Sequence, residues 1–154
     1  MSDELRKHLS DLLEGEGAHA SFADTVKDFP ENLRGIKPSG APHTAWQLLE
    51  HLRIALWDML EFSRDPKHQS PPWPEGYWAK QDSPPGPQAW DHSVSQYESH
   101  IRDFQALLSD SERDLLQPYP EGSGKPLLRN VLVIADHNSY HIGQLMYLRR
   151  TLGA

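Results

Sequence analysis

The sequence predicts an all-α protein: a four-helix bundle with short accessory helices and one long Pro-rich loop. Three observations carry that expectation. Apolar residues recur at the three-to-four-residue spacing of helices, and no run alternates with the period of a half-buried strand. Three segments are long enough to form helices of roughly 30–40 Å at 1.5 Å per residue. Between them lie stretches dense in Pro and Gly, the residues that interrupt helices. The 154 residues amount to about one domain, spanning 1–154.

The first helix is expected over Asp3–Leu13, with Leu5, His8, Leu9, Leu12 and Leu13 along one side. Glu14-Gly-Glu-Gly17 ends it, and a short second piece follows over His19–Phe29. Pro30–Ala41 reads as a loop punctuated by Pro30, Gly35, Pro38 and Gly40. Pro42 suits the first turn of the next helix, where its missing N–H costs nothing. That helix should reach Ser63 and stop before Pro66. Between Ala45 and Phe62 it carries twelve apolar residues. That is too many for one buried stripe, so it is central or meets another subunit. Leu52, Leu56 and Met59 are candidates for the surplus face.

Residues 65–87 hold seven prolines with Trp73, Tyr77 and Trp78 between them. A loop of this length is usually functional, or pinned down by its aromatic residues. The helix over Gln88–Leu108 has a heptad-like stripe of Trp90, Val94, Tyr97, Ile101, Phe104 and Leu108. A short turn after Ser109-Asp110 and a loop over Pro118–Gly124 lead to the last helix, Pro126–Leu152. Its Arg149 and Arg150 complement the negative end of the helix dipole.

Composition narrows the function. A net charge of −7, with no basic run longer than Arg149-Arg150, argues against a nucleic-acid partner. The longest uninterrupted apolar stretch, Val131–Ala135, is far too short for a bilayer. Met1-Ser-Asp-Glu-Leu-Arg lacks the apolar segment of a secretory signal. Zero cysteines exclude disulfides, thiolate metal ligands and a cysteine nucleophile together. A soluble, cytoplasmic protein with neither nucleic-acid nor membrane partner is expected.

Nine histidines are the compositional oddity. Gly122-Ser123-Gly124-Lys125 superficially resembles a phosphate loop, but its upstream glycine is missing and Pro126 replaces the magnesium-binding Ser or Thr. His137-Asn-Ser-Tyr-His141 is more informative, although Asn138 stands where a zinc protease has its glutamate base. Residues at i and i+4 lie about 40° apart around a helix and about 6 Å along it, so both imidazoles reach one ion. They share a stripe with Ile134, Leu145 and Leu148 and so face the interior. Taken alone, two such histidines are more often core residues satisfied by hydrogen bonds. His51 changes that balance, because it sits among Leu48, Ala55 and Phe62, where both ring nitrogens need partners. Gln47, Asp58, Asn130 and Gln144 are candidate acceptors for the outer ring N–H groups. Three imidazoles without a fixed carboxylate suit one divalent ion, zinc or nickel first, then iron or manganese, rather than magnesium or calcium. Three protein ligands leave a coordination position open, as catalytic sites do.

Trp46-Gln-Leu-Leu-Glu-His51-Leu and Asp136-His137-Asn-Ser-Tyr-His141-Ile-Gly-Gln-Leu145 resemble the DinB/YfiT-like superfamily. The resemblance implies an up-down-down-up four-helix bundle, often dimeric, with a divalent metal held by three histidines that map onto His51, His137 and His141. Characterised relatives, mostly bacterial, include bacillithiol S-transferases and the mycothiol-dependent maleylpyruvate isomerase. A metal-dependent transferase or isomerase using a low-molecular-weight thiol and a small-molecule substrate is therefore implied, with hydrolysis as another reaction type. The family name records induction by DNA damage and carries no argument for DNA binding. A homodimer is expected from the surplus apolar positions. The rival readings are a non-catalytic metal- or small-ligand-binding bundle and, behind it, a metal-free interaction bundle.

No catalytic residue beyond the metal ligands follows from the sequence, which fixes no general base. His100 flanks the stripe of its helix. His43 reads as a surface or helix-terminus residue, and His8, His19, His68 and His92 carry no pattern. Trp73, Tyr77 and Trp78 either cover the site or anchor their loop.

Overall fold

A computed structural model describes residues 3–15, 17–118 and 124–154. Met1, Ser2, Glu16 and residues 119–123 lie outside it, and with them most of the loop expected over Pro118–Gly124 and half of the phosphate-loop lookalike. The described chain is all-α: α1 (Asp3–Glu14), α2 (Phe22–Val26), α3 (Ala45–Arg64), α4 (Ala89–Ser109) and α5 (Leu127–Leu152). Single 3-10 turns occur at Glu31–Leu33 and Glu75–Tyr77, and no strand occurs among the described residues.

Two helix starts fall three residues later than expected, for one reason, while α4 and α5 each start one residue later. α3 begins at Ala45 rather than Pro42, because Thr44 takes the cap. Its Oγ1 accepts from the Gln47 N–H at 3.2 Å, while Gln47 Oε1 accepts from the Thr44 N–H at 3.1 Å. This reciprocal box satisfies two otherwise orphaned donors, whereas Pro42 would satisfy none. Ser21 and Asp24 form the same box on α2, which is far shorter than the expected His19–Phe29. Asp28, with φ at 51°, turns the chain away after it. Arg149 then covers the open end of α2, donating through Nη1 to the carbonyls of Thr25 at 3.0 Å and Lys27 at 2.5 Å. α5 ends at Gly153, whose φ of 72° is the left-handed cap that favours glycine.

α3 packs against both α4 and α5, and the Glu75–Tyr77 turn also lies on it. α1 lies on α4 and α5, and α2 on α5. This central position accounts for the apolar surplus of α3. Leu52 and Leu56, two of the candidates for a surplus face, are fully buried within this chain, and Met59 is half-buried. The exposed large apolar residues of α5 are instead Leu132, Val133, Tyr140 and Tyr147. The α4 stripe is buried as expected, apart from a half-buried Val94.

Residues 65–88 are tied back onto α3. Thr44 Oγ1 donates to the Asp82 carbonyl at 2.7 Å, and Gln47 Nε2 donates to Asp82 Oδ1 at 3.1 Å. Gly35 permits this approach, since a Cβ there would stand 1.8 Å from Ser83 Oγ. The segment thereby carries Tyr77 and Trp78 to the middle of α3, beside His51. No described helix is long and apolar enough to cross a membrane.

Candidate metal centre

His51 projects from the middle of α3, and His137 and His141 from successive turns of α5. The structure brings all three together. Their ligand atoms lie within 4.8 Å of one another, with His51 Nε2 3.0 Å from His137 Nε2 and 3.1 Å from His141 Nε2. His51 and His141 are buried and His137 is half-buried.

The outer partners fix where the ring protons sit. His51 Nδ1 lies 2.9 Å from the Tyr77 carbonyl oxygen, which only accepts, so this nitrogen carries the proton and donates. His141 Nδ1 likewise donates to Gln144 Oε1 at 2.7 Å. His137 is held less tightly, with Nδ1 3.5 Å from Asn138 Oδ1. In the neutral rings, Nε2 of His51 and of His141 are therefore bare lone pairs facing each other at 3.1 Å. His137 can donate to one of them, but the His51–His141 contact is still acceptor against acceptor.

A proton does not resolve this conflict at neutral pH. Burial, reinforced by the neighbouring imidazoles, pushes His51 and His141 down to about 4, and burial lowers His137 as well. A metal cation held between the rings would resolve it. Bonds of about 2.0–2.1 Å to one ion place ligand nitrogens about 2.9–3.4 Å apart for right-angle to tetrahedral geometry. The two separations of 3.0 and 3.1 Å fall in that interval. The donor set thus fits a divalent ion.

Aromatic rings close the flank. Trp78 stacks on His51 at 3.8 Å and 3°, and His43 stacks on Trp78 at 3.9 Å and 17°. Two rings that close to one indole cannot share a face, so Trp78 is sandwiched between them. His43, expected at the surface, is thus half-buried beside the centre, and burial followed by Lys37 lowers its pKa. The Pro-rich segment both anchors and covers.

Of the four expected outer acceptors, only Gln144 serves. Gln47 caps its helix, and Asn130 donates to Ser63 Oγ at 3.0 Å. Asp58 takes the Tyr77 hydroxyl on Oδ2 at 2.6 Å and His68 Nε2 on Oδ1 at 2.7 Å. His100 lies among Arg53, Asp103, Arg64 and Glu61, away from the cluster. The Tyr77 carbonyl could not be read from residue identity, because every residue offers one. Trp78 was visible as one of three loop aromatics, without a sign of which would reach the site.

No curated protein and no solved structure matches the chain. The sequence profile of the DinB superfamily matches residues 14–145, a span that runs from the end of α1 through all three histidines of the centre. On a match over most of its length, the chain belongs to the DinB superfamily.

Proposed function

We propose that the protein is a cytoplasmic metal-dependent enzyme in which His51, His137 and His141 hold one divalent cation, zinc or nickel ahead of iron or manganese. The observation that carries this reading is the meeting of His51 and His141 lone pairs at 3.1 Å, with both ring protons held outward. In this reading residues 1–154 form a single up-down-down-up four-helix bundle, with α1, α3, α4 and α5 as its helices.

The bound ion supplies Lewis acidity at a position that three protein ligands leave open. The chain's own residues orient and shield. Tyr77 and Gln144 hold the Nδ1 protons and so aim the lone pairs inward. Trp78 covers one face of His51 and keeps water from it. Burial holds the rings neutral, the state that binds metal. The chain has no cysteine, so a thiol-dependent reaction takes its thiolate from a low-molecular-weight thiol. We assign the reaction to S-transfer or isomerisation of a small-molecule substrate, with hydrolysis behind these. A homodimer belongs to the same reading, with Leu132 and Val133 as exposed aliphatic residues available to a partner. The second reading, a non-catalytic metal- or ligand-binding bundle, is favoured by one observation. Among the described residues the cluster contains histidines alone, without a carboxylate to act as a base.

Elemental analysis of tag-free protein tests the ion: about one divalent metal per chain is expected, and undiminished metal after alanine replacement of all three histidines would refute it. Electrophiles screened against several thiols, with and without chelator, separate the two readings. Metal-dependent turnover supports the enzyme, and stoichiometric metal without turnover supports the binding protein. Light scattering that reports a mass near 17.6 kDa would remove the dimer.

A further inference from the structure

A cleft of about 560 Å³ opens between residues 38–43 and α5, inside the roughly 300–1,000 Å³ range of small-molecule sites. Leu48 and Leu148 contribute apolar wall, and His43, Gln144 and Thr151 bring polar atoms to it. None of its described lining residues is Asp, Glu, Lys or Arg. Lys37, next to the lining segment, is paired with Asp82 at 3.3 Å. The cleft's own lining thus offers a charged guest no opposite charge. The cation Arg150 lines an adjoining cleft on the other side of Gly143 and Tyr147.

Gly143 is the unusual residue in this wall. It lies in the interior of α5, where glycine costs about 0.8–1.0 kcal/mol relative to alanine. Nothing packed against it calls for it, because its φ is not in the left-handed region and a Cβ built on it meets no atom from beyond its own stretch of helix within 4 Å. The unfilled space opens into the cleft. Tyr140 and Tyr147, at i−3 and i+4, flank Gly143 on the helix surface and are 64% and 75% exposed. The result is a patch of helix backbone without a side chain, with a tyrosine one turn to either side and room to seat a planar group. Gln144 joins this seat to the histidine cluster, since it lines the cleft and accepts from His141.

We propose that the cleft binds an uncharged, ring-bearing organic molecule, seated on Gly143 between Tyr140 and Tyr147 with its polar atoms turned to His43, Gln144 and Thr151. The binding site needs the cleft alone. Its role, presenting the molecule on which the metal centre acts, rests on the function proposed above.

The test titrates chelator-treated and zinc-loaded protein with 2-naphthol, and with 2-naphthoate as the charged counterpart, followed by fluorescence. Saturable naphthol binding is expected in both metal states, with naphthoate at least about tenfold weaker. Gly143→Leu fills the seat with a better helix former, so it should melt no lower than the unaltered protein while losing about tenfold in naphthol affinity. Tyr147→Ala, at an exposed position, should weaken naphthol comparably and serves if the leucine variant misfolds. Unchanged naphthol affinity in the folded variants, or equal affinity for naphthoate, overturns the proposal. So does a changed mass of Gly143→Leu in light scattering, which would make the glycine part of an interface between copies. If the metal reading alone is wrong, zinc fails to bind while naphthol binding persists.

Discussion

Two histidine-containing polar clusters lie on either side of Tyr77, and they are built on opposite principles. In the first, Asp58 Oδ1 accepts from His68 and Oδ2 accepts from the Tyr77 hydroxyl. Burial, and then Asp58, push the Tyr77 hydroxyl up to about 12, so it remains a donor. Every donor meets an acceptor, and the cluster is complete as it stands. In the second, the Tyr77 carbonyl holds the outer proton of His51, and the inner nitrogens of His51 and His141 meet acceptor to acceptor. Buried polar groups are normally paired, so a convergence of lone pairs is an arrangement that could hold a cation. The difference separates a histidine that fastens a loop from histidines that could hold an ion.

Single-residue truncation should split the two clusters most sharply. His51→Ala is expected to lower zinc affinity by about a thousandfold or more, close to 4 kcal/mol. His68→Ala should leave one zinc per chain while lowering stability. Titration calorimetry on both variants checks this. Equal losses of zinc affinity would show that the clusters are not distinct.

Acid should act through the second cluster. In the metal-free protein the folded-state pKa of His51 and of His141 is about 4, against about 6.5 for an unfolded histidine. The unfolded chain therefore binds more protons between those values. The contribution of these rings to stability is constant above about pH 6.5 and falls as pH drops toward 4, by up to about 1.4 kcal/mol per pH unit for each ring. Because the folded rings resist protonation, zinc should stabilise the protein undiminished down to about pH 5, with its effect weakening as pH falls to about 4 and below. Denaturant melts with and without zinc across this window give the curve. A zinc effect already lost at pH 6 would mean that the rings are not shielded as their burial implies.

The same window shows what the residues disclosed in advance. The ordinary pKa of histidine alone would have put the loss of metal near pH 6.5, because neither burial nor mutual repulsion can be read from residue identity. The all-α class and the pairing of His137 with His141 were legible, since both follow from helical periods within one segment. His51 was legible as a polar residue in an apolar stripe. The Thr44–Gln47 box was also present in the sequence, but the Pro42 signal led the helix start astray. The sequence left open whether α3 is central or turns a face to another subunit, because the number of neighbours packed around α3 is a tertiary fact. His43, Trp78 and the Tyr77 carbonyl reach the centre only because a segment dozens of residues from α5 folds back. No local pattern announces that.

Asp58 is where the clusters can be shown to communicate. Asp58→Ala removes the carboxylate acceptor of the Tyr77 hydroxyl, which keeps only Ser70, and of a histidine N–H, at a cost of about 2–4 kcal/mol in stability. It also frees the backbone turn that presents the Tyr77 carbonyl to His51. Loss of such outer support typically weakens metal binding by about 10–100-fold, and the lower end is expected because the carbonyl itself remains. Denaturant unfolding and zinc titration of one variant measure both effects. A stability loss with unchanged zinc affinity would show that the loop-fastening cluster ends at Tyr77.

The smallest effect should come from Gln144, whose Oε1 takes the His141 ring proton at 2.7 Å. Gln144→Leu removes that acceptor and keeps much of the volume, so His141 can place its proton on either nitrogen. Zinc affinity should fall by about tenfold, near 1.4 kcal/mol, because some of the rings then present N–H rather than a lone pair to the ion. Gln144→Glu restores an acceptor and makes the ring more basic, so affinity should return to the original level or exceed it. The two variants sharpen the comparison because they alter no ligand and leave Asp58, His68 and Tyr77 untouched. Nitrogen-15 spectra of the metal-free protein report the tautomer directly, and His141 should carry its proton on Nδ1 until the leucine is introduced. If the leucine variant kept both the tautomer and the affinity, the outer partner of His141 would be a bystander, and the inward lone pair would need another cause.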